Sequence, residues 1–425
     1  MLDVVTPESV GISSARLERV SAWLQQQVDG GRLAGCSVLI ARRGHTAFAD
    51  AAGVAEVETG KPFALDTIVR IYSMTKAVTT VAAMMCYEEG CFQLDDPVYV
   101  YLPEFADTPV WRGGDHALED VEPQRSPMTV LHLMTHTSGL TYGFMHSNVV
   151  DAAYREADVE LPGSAGSLAS MVQRVATLPL LCQPGSRWNY SVSTDVLGRL
   201  VEVWSGLSLE EFFRQRITEP LGMMDTAFHV AAANADRLAA LYAPETGADM
   251  SSVATVATPE EIARRGGLRL QESAADSRFL RPSGQFSGGG GLTGTMGDYA
   301  RFCQMLLNGG EFEGARLLGR KTVEHMRLNH LPENRDMAAM GQPVWSETSY
   351  DGIGFGLGWA VVIDPVKANI VTSVGEHHWG GAASTFFWLD PAEELFTVFF
   401  TQLMPSSTYP IRRELRTRVY QSLIH

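Results

Sequence analysis

Strand patterns gather at the two ends of this sequence and helical patterns fill its middle, and no other feature limits the fold as strongly. The β-prone runs Gly35 to Ala41 and Ala47 to Ala52 flank Arg42-Arg43-Gly44-His45, a short turn that reads as a hairpin loop, and Thr67 to Tyr72 is a further extended segment. Towards the other end, Gly356 to Ile363, Ile370 to Val374, Ser384 to Leu389 and Leu395 to Phe400 are β-rich and divided by turn signals. A helix over Ser13 to Gln27, capped by Ser13 or Ser14, precedes the first strand, and another, Ile411 to Leu423, closes the chain. From about Cys91 to Val230 the segments are helical and broken by Pro and Gly, as at Thr129 to Thr135, Ser193 to Trp204 and Leu209 to Ile217. Ala254 to Ala275 reads as a loop excursion with one short helix, and Gly288 to Gly291 leads into helices at Met296 to Leu307 and Lys321 to Leu328. These patterns predict an α+β fold: a mostly antiparallel sheet built from both termini and flanked by helices, with a mainly helical domain inserted. Residues 1–90 and 231–425 would form the sheet domain and 91–230 the helical one, with a site in the cleft between them.

Charge excludes several partners. With 33 Lys+Arg against 49 Asp+Glu the formal net charge is −16, and basic residues form no run longer than a pair such as Arg42-Arg43 or Arg264-Arg265. A nucleic-acid backbone or an anionic membrane surface therefore has nothing to bind. No stretch approaches eighteen uncharged apolar residues, and Met1 to Val10 lack a basic patch followed by an apolar core, so the expectation is a cytoplasmic chain without an anchor. Cys36, Cys86, Cys91, Cys182 and Cys303 show no C-x-x-C spacing and read as thiols in the interior. His132 and His136 are four apart but lack the Glu of H-E-x-x-H, so they read as helix packing, and no metal site is expected.

Only four lysines accompany 29 arginines, and Lys76 alone follows a serine by three, in Ser73-Met74-Thr75-Lys76. Three apart on a helix, a hydroxyl and an amine share a face. The helix that follows is apolar on nearly every side until Gly90, and a buried ammonium without a partner is costly, so this lysine must be paired or neutral. A neutral amine beside a serine is a general base beside a nucleophile, and the helix start offers N–H groups to a developing oxyanion. Taken alone, the spacing also suits a capping serine and a lysine reaching for solvent. Tyr190 follows the turn Pro184-Gly185 and would project from a loop at the mouth of a helix that Ser193 or Thr194 can cap. His377-His378-Trp379-Gly380-Gly381-Ala382 lies between strand patterns, where glycines allow either a ligand to approach an edge strand or a bulge. The two histidines are read as shaping the pocket, without a catalytic role. No serine sits in G-x-S-x-G and no lysine follows the glycine run, so neither a nucleophile elbow nor a P-loop is supported.

Five segments in order resemble the serine β-lactamase and penicillin-binding-protein superfamily, and within its class C-like branch the family VIII carboxylesterases. They are Tyr72-Ser73-Met74-Thr75-Lys76, the run Leu133 to Leu140, Pro184-Gly185 before Tyr190-Ser191, Gly288 to Leu292, and Trp379-Gly380-Gly381. The resemblance spans nearly the whole chain. It implies Ser73 as nucleophile, Lys76 and Tyr190 as its proton-handling partners, an oxyanion hole made by the backbone N–H groups of Ser73 and Ala382, and no metal or organic cofactor. Class C lactamases carry Tyr-x-Asn where this chain has Tyr190-Ser191-Val192, and Lys-Thr-Gly where it has Trp379-Gly380-Gly381. The missing cation removes a charge-assisted contact of roughly 1.5–3 kcal/mol to a substrate carboxylate. Val192, Trp379, Gly380 and Gly381 would then line a site for an uncharged small-molecule ester. The expectation is a short-chain carboxylesterase working through a Ser73 acyl-enzyme, with slow cephalosporin hydrolysis within reach of the same groups. Its rivals are a β-lactamase or D-Ala-D-Ala-type peptidase, an acyltransferase and, from another class, a non-catalytic binding module.

Overall fold

Strands from the two ends of the chain zip into one sheet. The computed structural model describes residues 2–159, 166–247, 258–282, 284–341 and 350–425. From the first end come β1 (Gly35–Arg42), β2 (His45–Glu56) and β3 (Lys61–Pro62). From the second come β4 (Ile353–Phe355), β5 (Ala360–Val362), β6 (His377–Gly380), β7 (Phe386–Asp390) and β8 (Leu395–Thr401). The order is β4-β5-β6-β7-β8-β1-β2-β3, and every neighbouring pair is antiparallel. The two ends join where β8 pairs with β1, with Cys36 opposite Thr401 and Arg42 opposite Leu395.

Helices cover both faces of this sheet. The ones that matter here are α1 (Ser14–Asp29), α2 (Thr75–Glu88), α3 (Val130–Met134), α4 (Ser193–Ser205), α5 (Met296–Leu307) and α6 (Ile411–Tyr420). Because strand side chains alternate, β1 divides its residues between two apolar clusters. Val38 and Ile40 join Leu17, Val20 and Leu24 of α1 and Leu415 of α6, whereas Leu39 and Ala41 join the cluster that holds α2. That second cluster runs on through Leu197 and Leu200 of α4 and Met296 of α5, so the helical insertion and the sheet share apolar packing. The Ser13 side chain accepts from the amide of Arg16 and caps α1, which is worth about 1 kcal/mol.

Several expectations shift in detail. Gly356 to Ile363 is not one strand: β4 and β5 form a hairpin, with Phe355 opposite Ala360. Ile370 to Val374 is not a strand either. Asp364 caps a short helix, Pro365–Ala368, that Asn369 ends at φ 54°, and the chain then bends with Val371 and Val374 exposed. The ladder resumes at His377, three residues past the end of the apolar run. The cap of α4 is the backbone of Val192 without a side-chain hydrogen bond, and Ser193 instead bonds Ser191 and Ser138 through its hydroxyl. Within the expected loop excursion, residues 254–257 lie outside the described residues; beyond them come the short helix Pro259–Ala263 and a strand, Leu268–Glu272, paired with Leu241–Pro244. Among the described residues no helix is long and apolar enough to cross a membrane, and no three His, Cys, Asp or Glu side chains cluster as metal ligands. All five cysteines are free, and only Cys91 is partly exposed.

Candidate active site

Ser73 stands on a one-turn 3-10 segment, Tyr72–Met74, between the strand Val69–Arg70 and α2. That strand pairs with Thr293–Gly294, and the Ile71 amide donates to the Leu292 carbonyl at 3.1 Å, which ties the serine turn to the glycine run. Tyr72 holds φ at +42°, a left-handed conformation that costs a non-glycine residue about 1–3 kcal/mol. Its burial against Leu241, Ala382 and Ala383 keeps it there. The turn leaves Ser73 partly accessible, whereas Lys76, one helical turn further on, is 1% exposed and Tyr190 is 2% exposed.

The three polar groups expected from the sequence meet. Tyr190 OH donates to Ser73 Oγ at 2.6 Å, and Lys76 Nζ donates to the same oxygen at 3.3 Å. Nζ also donates to Tyr142 OH at 3.1 Å and to the Gly289 carbonyl at 2.6 Å, and it lies 4.6 Å from the Tyr190 ring centroid. A hydroxyl touched at once by a phenol and an amine has two groups able to take and return its proton. The loop that carries Tyr190 is pinned to the segment after α3: the amides of Gly185 and Asn189 donate to the carbonyls of Thr137 and His136 at 2.7 and 2.8 Å. His136 itself lies 4.9 Å from the Tyr190 ring, with Nδ1 3.2 Å from Ser191 Oγ. Burial, and then the charge of Lys76, push its pKa well below the ordinary value, so it is a neutral packing partner. His132 completes a capping box with Thr129, and burial lowers its pKa to about 4.

The end of β6 closes the other side. Trp379 is 8% exposed, with its ring 5.6 Å from Tyr190, 5.3 Å from Phe355 and 6.5 Å from Trp188. Gly380 ends the strand, and Gly381 follows it so tightly against the serine turn that a Cβ there would collide with the Ile71 carbonyl. Ala382 packs on Tyr72. Val192 is fully buried, with its amide donating to the Thr141 carbonyl at 3.3 Å. His378 belongs to a separate cluster around Glu376 at the far end of the same strand, whereas the His377 ring packs 5.2 Å from Trp359 with Nδ1 3.2 Å from the Gly375 carbonyl.

Two residues of the site escaped sequence reasoning. Tyr142 follows the Leu133–Leu140 segment by two and offers no periodic signal; only its side-chain contact with Lys76 reveals it. Asp195 reads as an ordinary acidic residue in the first turn of α4, yet it is 2% exposed and its Oδ1 accepts from Ser287 Oγ at 2.6 Å and from the Gly289 amide at 3.0 Å. The signal available for it was its position five residues after Tyr190, which places both at one helix mouth.

Known proteins resemble this chain over nearly its full length. A family model described as Beta-lactamase matches residues 20–421. Esterase EstB of Burkholderia gladioli is 30% identical over 434 residues, with 97% of this chain and 98% of its own covered. Among solved structures, EstCE1, described as a hydrolase with promiscuous acyltransferase activity, superposes at a TM-score of 0.76 with 30% identity, covering 96% of this chain and 98% of its own. Simvastatin synthase (LovD) from Aspergillus terreus superposes at the same TM-score of 0.76 with 26% identity and the same coverage, 96% and 98%. With its sheet built from both termini, its helical insertion and its match to the family model over nearly its full length, this chain belongs to the beta-lactamase family of serine hydrolases.

Proposed function

We propose that the protein is a carboxylesterase that hydrolyses small uncharged esters through an acyl-enzyme on Ser73. One observation carries this reading: Ser73 Oγ lies 2.6 Å from Tyr190 OH and 3.3 Å from Lys76 Nζ. Ser73 Oγ attacks the ester carbonyl carbon while its proton passes to the Tyr190–Lys76 pair. The backbone N–H groups of Ser73 and Ala382 receive the oxyanion, a role supported by the packing of Ala382 on the residue before the serine. Collapse breaks the bond to the alkoxide, which leaves with the proton held by the pair. Water then attacks the acyl carbon, gives its proton to the same pair, and the acid departs as Ser73 regains its hydrogen. Every step uses protein groups and water.

The aromatic wall formed by Trp379, Phe355 and Trp188 supports an uncharged substrate, since an indole occupies the place where class C lactamases keep a lysine. That EstB is named an esterase supports the ester. A p-nitrophenyl ester series graded by acyl length, run beside nitrocefin and a D-Ala-D-Ala peptide, should show turnover strongest on short esters. Mass spectrometry after a phosphonate inhibitor should show one adduct, on Ser73. An adduct elsewhere, or undiminished turnover in Ser73→Ala, defeats the assignment. A second reading, acyl transfer to an alcohol, is favoured by the descriptions of EstCE1 and simvastatin synthase. Product partitioning towards an added alcohol at fixed acyl-enzyme formation distinguishes it.

A further inference from the structure

We infer that Asp195 is a positioning residue for this site: it fixes the Gly288–Gly291 turn so that the Gly289 carbonyl holds Lys76 Nζ against Ser73. The turn is gripped from two helices. From α2, Thr79 Oγ1 donates to the Gly288 carbonyl at 2.7 Å, and Thr75 Oγ1 accepts from the Leu292 amide at 3.1 Å. From α4, Asp195 Oδ1 takes the Gly289 amide and the Ser287 hydroxyl. The result is a Gly289 carbonyl 2.6 Å from Nζ. The fit demands glycine, because a Cβ on Gly289 would run into the Asp195 carboxylate and come within 3.1 Å of Tyr142 OH. One helix mouth thus delivers the Tyr190 phenol to one side of Lys76 and a carboxylate to the other, behind a single peptide group.

A neutral acceptor could hold the turn; what a carboxylate adds is charge. Burial raises the Asp195 carboxyl above the ordinary range, while the Lys76 charge and the hydrogen bonds from Ser287 and Gly289 pull it back. The titratable groups facing Lys76 are the Asp195 carboxyl, the phenols of Tyr142 and Tyr190, and neutral His136.

This inference rests on the esterase reading above. Three variants test it with p-nitrophenyl acetate as probe: Asp195→Asn, which keeps an oxygen for the turn, Asp195→Ala, which does not, and Ser73→Ala as the control for the underlying reaction. Loss of the carboxylate makes a proton on the neighbouring amine less favourable, so the acid limb of kcat/KM in Asp195→Asn moves to lower pH by about 1 unit. KM for this neutral ester stays within about twofold. Asp195→Ala, which also frees the turn, loses about 10²-fold in kcat. A pH profile of a cooperatively unfolding Asp195→Asn protein that superimposes on the parent overturns the inference, and this variant decides alone if Asp195→Ala does not fold. Turnover surviving in Ser73→Ala would instead overturn the esterase reading, an outcome visible without any Asp195 variant.

Discussion

Strand β6 runs between two buried polar clusters that handle charge in opposite ways. At its start, Glu376 is fully buried and bound by Arg416 through Nη2 at 2.6 Å and Nε at 3.1 Å, and by His378 Nδ1 at 2.9 Å. The Thr372 hydroxyl donates to it as well, and Tyr420 OH lies 3.2 Å from it and 2.7 Å from Asp390. Burial alone would raise the Glu376 pKa, yet the Arg416 guanidinium and the His378 hydrogen bond hold it at about 2. At the other end of the strand, Nζ of Lys76 touches two kinds of hydroxyl and a peptide carbonyl, all formally neutral. A proton fixed by a full ion pair stays where it is; one shared among a phenol, an amine and an alcohol can move at small cost. The contrast teaches that the buried salt bridge builds the scaffold, while the site keeps its charges incompletely paired.

If that division is right, substitutions at the two ends of β6 should separate activity from stability. The largest effect is expected at Ser73→Ala, which should lose at least about 10³-fold in kcat/KM on short esters and all phosphonate labelling, with the urea midpoint unchanged. Tyr190→Phe and Lys76→Ala should each lower kcat by about 10²–10⁴-fold while unfolding stays cooperative. Glu376→Gln should do the reverse. It leaves the Arg416 guanidinium buried without its anion, so the unfolding free energy falls by about 3–5 kcal/mol, and kcat of the folded fraction at low temperature stays within about threefold. A Glu376→Gln protein that melts with the parent, or a Tyr190→Phe protein that is equally destabilised, breaks the contrast.

The same contrast explains what could be read from the chain beforehand. Ser73 and Lys76 were legible because they are close in sequence and the helix behind them is apolar on every side, so a lysine there needs an explanation. Tyr190 was legible as one member of an ordered set of segments, and its contact with Ser73 bridges 117 residues that no local pattern spans. Tyr142 and Asp195 were not, because their roles depend on facing the Gly288–Gly291 turn, and helical or strand periodicity carries no information about that meeting. The sheet was legible where strands alternate or run apolar, as in β1 and β8. It was missed at β6, whose residues His377, His378, Trp379 and Gly380 have no strand-like pattern; pairing with Phe386 to Leu389 on β7 makes them a strand. The apolar run Ile370 to Val374 attracted that assignment instead, although the Asp364 cap and the short helix it starts send Val371 and Val374 to the surface.

Acidification offers the smallest and most graded probe of the two clusters. Burial lowers the pKa of His132 and of His377 to about 4, and it also lowers those of His136 and His378, whereas in the unfolded chain each titrates near 6.5. Between about pH 6.5 and 4 the unfolded state therefore binds more protons, and stability falls as pH drops through that window, by about 1–3 kcal/mol per buried imidazole. Glu376 extends the loss below its ordinary value of 4.5 towards about 2. Asp151, Asp195 and Asp298, whose carboxyls burial raises, act in the opposite direction, because the fold retains protons that the unfolded chain releases. With the imidazoles dominant, urea midpoints should decline steadily from pH 7 to pH 5, and His377→Gln should make that decline shallower by roughly one proton's worth of slope, about 1.4 kcal/mol per pH unit. A midpoint that stays flat over this range would mean that the buried imidazoles accept protons within the fold. With His378 among them, the cluster around Glu376 would then carry mobile charge as the Ser73 site does, and the distinction between a locked end and a labile end of β6 would fail.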